Sequence, residues 1–142
     1  MNPRARGTFE VTLEPQPLSN SGQAANLNRL SIAKQYHGDL EATSHGEMLA
    51  NGDRTEESGV YVALERVSGQ LHGRSGSFVL YHNGLMVRGE SRLVISVVPD
   101  SGTGELAGLA GTMTIDIVDG AHFFEFDYTL EDRADSTAHA AR

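Results

Sequence analysis

The sequence predicts an all-β chain closed into an eight-stranded antiparallel β-barrel with little helix, and three observations carry the prediction. Apolar and polar residues alternate with period two through most of the chain. Glycine is frequent, at 16 of 142 residues, and several glycines follow residues that tolerate positive φ, as tight hairpins require. Sustained 3.6-residue periodicity is scarce. Eight short strands joined in succession leave two exposed edges unless the sheet closes on itself, which favours a barrel over the alternative, an open sandwich.

The first strand, 7–14, puts Phe9, Val11 and Leu13 on one face and Thr8, Glu10 and Thr12 on the other. Residues 16–28, with Pro17, Ser19, Asn20, Ser21 and Gly22, read as a surface loop. In the strand over 29–37, Leu30 and Ile32 alternate with Ser31 and Ala33. In the strand over 39–49, Leu40, Ala42 and Ser44 alternate with Glu41, Thr43 and His45. Strands are expected again over 59–68, 70–82, 85–98, 107–118 and 121–131, many rich in the β-branched and aromatic residues that suit a pleated surface. Asn51-Gly52, Ser68-Gly69, Asn83-Gly84 and Asp119-Gly120 read as turns, while Gly73, Gly76, Gly89, Gly108 and Gly111 suit bends in a small barrel. Residues 132–142 have almost nothing to bury and read as a frayed tail behind a single domain over 1–131.

Composition excludes several functions. Lys and Arg number 11 against 19 Asp and Glu, a net charge of -8 with no basic cluster, so neither nucleic acid nor an anionic membrane is an expected partner. Without cysteine there are no disulfides, thiolate metal sites or thiol nucleophile. The first residues lack the apolar core of a signal peptide, and no apolar run is long enough for a membrane span, so a cytoplasmic location is expected. The segments Leu93 to Val98 and Phe123 to Phe126 read as buried on both sides, which points to a homo-oligomer formed by barrel walls.

Three stretches resemble the DUF3224 family of bacterial proteins, grouped with the allene-oxide-cyclase-like barrels: GDLEATSHGEML from Gly38, GVYVALERVSG from Gly59 with GRSGSFVLYH from Gly73, and VPDSGTGELAGLAG from Val98. The resemblance implies a short eight-stranded barrel, broadly lipocalin-like, and brings no substrate with it. The cyclase relatives enclose an apolar, unsaturated substrate with few polar residues, so kinship with them implies a similar cavity.

Candidate chemistry is sparse. Gly102-Thr-Gly104-Glu-Leu-Ala107 matches a loose dinucleotide fingerprint, but Gly108 and Gly111 interrupt the helix that would hold the pyrophosphate, so no cofactor is expected. His37, His45, His72, His82 and His122 lie on or beside different strands, and His45-Gly-Glu47 is the only compact histidine–carboxylate pair, so no metal site is expected. Ser75, Ser77 and Ser101 lack a nucleophile elbow. Arg74, Arg88 and Arg92 could clamp an anion, yet Glu57, Glu90 and Glu105 are ordinary partners for them. Acid–base chemistry needs a titratable group in an apolar cavity, where burial raises a carboxyl toward neutrality. Glu65 and Tyr61 share a face opposite Val60, Val62 and Leu64, and His82 shares one with Phe78 and Leu80. These three are the candidate catalytic residues; Glu41, Arg74, Phe78, Leu80, His122, Phe124 and Tyr128 are the candidate ligand contacts. The expected function is binding of a small, partly apolar molecule in the lumen. Its alternatives are a cofactor-independent cyclase or isomerase acting on a flexible unsaturated substrate, and a filled barrel that only self-associates.

Overall fold

A computed structural model of the chain describes residues 3–51 and 57–130. Eight antiparallel strands form a closed barrel in chain order: β1 Arg4–Gln16, β2 Leu27–Gly38, β3 Leu40–Asn51, β4 Gly59–Leu71, β5 Arg74–Val87, β6 Glu90–Val97, β7 Ala110–Val118 and β8 Ala121–Thr129. β1 closes the ring on β8 through the register Arg4↔Asp127 to Phe9↔His122. The expected fold class and strand number are found. The expected tail lies outside the described residues, as does Gly52 of the expected Asn51-Gly52 turn.

Two expected turns are strand interior instead. Ser68-Gly69 lies within β4 and Asn83-Gly84 within β5. The hairpins turn at His72-Gly73, Arg88-Gly89 and Asp119-Gly120, each a residue at φ 46–51° followed by glycine at 81–86°, the paired left-handed geometry that suits strand twist. Gly84 serves packing: a Cβ there would stand 2.1 Å from Cε1 of Tyr61. Residues 16–28 are not all loop either. Ser19 accepts from the Gly22 amide and caps α1, Asn20–Ala24, and β2 begins at Leu27.

Register fixes which side chains face the lumen, because a pleated strand alternates faces and neighbouring pairs share one. Odd positions of β1, β4, β6 and β7 and even positions of β2, β3, β5 and β8 point inward. The end of the barrel that holds the β2–β3 and β4–β5 turns is plugged. There Phe78 stacks on Phe126 at 5.8 Å between centroids, Phe126 on Tyr128 at 5.4 Å, and Leu40 and Leu71 are buried beside them. The β6–β7 connection caps this end, with Leu106 and Leu109 buried. The Ser77 amide donates to Thr103, the Val79 amide to Ser101 and the Ser75 amide to Glu105. The glycine-rich segment that mimics a dinucleotide fingerprint is therefore a lid on the core, carrying a single 3₁₀ turn at Gly104–Leu106.

Two features depart from a uniform wall. β6 and β7 are joined only by Ile95↔Met113 and Ser96↔Thr112, so 90–94 and 114–118 pair with β5 and β8 alone. Leu93, Val94 and Phe123 are each more than 40% exposed, so neither 93–98 nor 123–126 is buried on both sides. A short ladder and an apolar outer surface leave these segments uncovered.

Candidate functional site

Midway along the lumen the inward phase of four strands converges on one carboxylate. β4 delivers Glu65, β2 Lys34 and Tyr36, β3 Ser44, and β5 His82. Lys34 and Ser44 are direct cross-strand partners, and Glu65 lies opposite Gly46, whose missing side chain lets β3 and β4 approach closely. Glu65 Oε1 accepts from Lys34 Nζ at 3.0 Å, His82 Nε2 at 2.7 Å and the Tyr36 hydroxyl at 3.1 Å. Oε2 accepts from Ser44 Oγ at 2.6 Å and from the same tyrosine at 3.1 Å. All five residues are buried. Lys34 also lies over the Phe9 ring, 4.8 Å from its centroid, and 5.7 Å from that of Tyr36.

Burial by itself would raise the Glu65 carboxyl. The His82 hydrogen bond, the Lys34 charge and the Ser44 hydrogen bond outweigh it and hold the pKa at about 2, below the ordinary 4.5. The expected direction of shift is thus reversed: Glu65 is an anion at neutral pH, because the lumen supplies it with a cation and donors. Since an ionised carboxylate only accepts, His82 must present Nε2–H to it. Nδ1 of the same ring has no hydrogen-bond partner among the described residues. Burial, then the Glu65 charge and hydrogen bond, push the Tyr36 phenol well above its ordinary value, so it stays a neutral donor. Tyr61, two inward positions from Glu65 along β4 toward the open end, is raised by burial and then by Glu65.

The structure gathers Glu65, His82 and Tyr61 in the lumen, while Phe78, Leu80 and Phe124 belong to the packed core. His122 faces inward and packs on Phe9 at 5.0 Å between centroids. Tyr128 sits at the plugged end with its hydroxyl on His72; burial raises its phenol, the Arg74 charge opposes and Asp39 adds to the rise. Glu41 points outward, accepting from the Gly38 amide at 2.7 Å. Arg74 is exposed at the plugged end. Neither reaches the central cluster. Lys34, Tyr36 and Ser44 are the members that sequence reasoning missed; a lysine in phase with Leu30 and Ile32 was the available signal. The remaining histidines scatter: His37 contacts Glu10 on the outer wall, and Glu47, of the compact His45–Glu47 pair, is held by Arg29. Among the described residues no three His, Asp or Glu side chains converge as metal ligands.

Above the cluster the barrel changes character. Leu13, Met86, Leu93 and Ile117 point inward by register, yet they are 44%, 38%, 41% and 66% exposed. They form an apolar mouth at the end opposite the plug.

A protein of unknown function from the DUF3224 family of Shewanella oneidensis MR-1, solved by crystallography, is similar to this chain. The two share 46% identity and superpose with a TM-score of 0.85, the match covering 93% of this chain and 99% of that one. No curated protein matches the sequence. The family described as "Protein of unknown function (DUF3224)" matches residues 5–128, nearly the whole barrel, and the chain therefore belongs to the DUF3224 family.

Proposed function

We propose that the barrel binds a small, largely apolar molecule through its open end, with a polar group of the ligand directed at Lys34 and His82. The observation that carries this reading is the mouth: four large apolar side chains turned to the lumen and still in contact with solvent, as in a wall awaiting a guest. Polar recognition is supported by the cluster beneath. Among the described residues Lys34 has one hydrogen-bond acceptor, Glu65, for its three N–H groups, and His82 Nδ1 has none. Titration with cis-parinaric acid, a fluorescent unsaturated carboxylate, tests it. A saturable fluorescence rise is expected that weakens at least about tenfold in Leu93→Glu and Ile117→Glu, where a charge stands in the apolar mouth. Absence of binding, or binding indifferent to both substitutions, overturns the reading.

A second reading, a cofactor-independent isomerase or cyclase of the allene-oxide-cyclase-like kind, is favoured by the Glu65–His82 pair. An ionised carboxylate that orients an imidazole leaves the other ring nitrogen as a base. The proton of a carbon next to a carbonyl would pass to His82 Nδ1 and return at another carbon, while Lys34 stabilises the charge developing on the carbonyl oxygen. Glu65 is then a positioning residue, not the acid. With a substrate in hand, His82→Gln should abolish turnover and leave binding within about threefold; equal losses of both would reduce the cluster to a binding role.

A further inference from the structure

The outer wall of β3–β6 differs from the rest of the surface. Outward register sets Leu49 beside Val62, Val60 beside Leu85, Leu64 beside Tyr81, and Asn83 between Val62 and Val94. These seven large apolar side chains are 37–58% exposed, and the ion-paired Arg29 and Glu47 border them on the β2–β3 side, beside Leu49 and Leu64. Between Leu49, Val62, Leu64 and Tyr81, with Arg29 and Glu47 at its edge, runs a shallow open groove of about 630 Å³. A contiguous apolar face of this kind marks an interaction surface rather than scattered exposed residues.

We infer that this face is where a second copy of the chain docks, sheet against sheet. Charge identifies the occupant. The chain carries -8 overall, and its opposite wall is studded with charge: Arg4, Arg6, Glu10, Glu125 and Asp127 all point outward on β1 and β8. Two copies meeting there would bury the charges of the Arg4–Asp127, Arg4–Glu125 and Arg6–Glu125 pairs, whereas meeting through β3–β6 leaves them in water. The rim of the apolar face carries both signs, Arg66 and Arg92 against Glu90, and these three make no ion pair among the described residues. A two-fold axis through the face can set Arg66 of one copy against Glu90 of the other, since the two lie toward opposite ends of it. A lipid surface fits less well, since apolar residues cover one side of the cylinder and the acidic total repels anionic headgroups.

Sedimentation velocity across the micromolar range tests the inference. A dimer is expected, with its Kd raised at least about a hundredfold by Val62→Glu or Leu64→Lys, and left unchanged by Thr12→Glu on the opposite wall. Because the chain has no cysteine, Asn83→Cys provides a probe that spares the fold: coupling it to a bulky maleimide should dissociate the dimer, with the circular dichroism spectrum unchanged. A monomer throughout that range, a dimer indifferent to these changes, or a monomer that floats with lipid vesicles would each overturn it.

Discussion

Glu65 is the residue on which the interior depends. Its depressed pKa makes stability dependent on pH in one direction. The folded carboxyl titrates near 2 and the unfolded one near 4.5, so the contribution, about 3 kcal/mol, is fully present above pH 4.5 and is lost as pH falls toward 2. Urea denaturation between neutral and acid pH should show this decline. Glu65→Gln keeps the shape and removes the charge, which strands Lys34 as a buried cation; a loss of about 3–5 kcal/mol at neutral pH is expected, with the acid decline correspondingly reduced. A variant within 1 kcal/mol of the parent would mean that the ammonium reaches water and that the pair matters little. Alternation puts His82 on a face with Phe78 and Leu80, but it leaves open whether Glu65 and Tyr61 or the apolar Val60, Val62 and Leu64 face inward; the fold turns the apolar three outward. The lysine was not legible because burial alone points to a lone carboxyl with a raised pKa, whereas the fold supplies an ion pair whose members lie 31 positions apart.

At the scale of the element, period-two patterning located every strand, because each has one face in the lumen and the lumen is largely apolar. The turns were less legible because a narrow barrel uses glycine for two purposes. Asn83-Gly84 has the composition of a hairpin, yet Gly84 admits the Tyr61 ring, and the chain reverses at Arg88-Gly89. Gly84→Ala should therefore cost about 1–3 kcal/mol, relieved in part when Tyr61→Leu removes the ring; an unaffected melting temperature would argue that the ring moves aside freely. Arg88 holds φ at 46°, a region that asparagine tolerates better than arginine. Arg88→Asn is expected to stabilise the fold by about 0.5 kcal/mol, read as a rise in Tm.

For the molecule as a whole, the barrel is closed unevenly. Every other seam is stitched over at least six register pairs, but β6 meets β7 over two. Hydrogen exchange should find the amides of 90–94 and 114–118 that face this seam exchanging far faster than those of β4, which is paired along its length on both sides. Equal protection would show that the seam is closed in solution. An opening there would widen the mouth sideways, since Leu93 and Ile117 border both.

The opposite closure, β1 on β8, makes the order of the strands around the cylinder a matter of where the polypeptide happens to be cut. Arg4 and Thr129 leave the barrel at its plugged end, on adjacent strands. A circular permutant that joins the old termini by a short linker and begins instead at Gly89 should fold to the same cylinder.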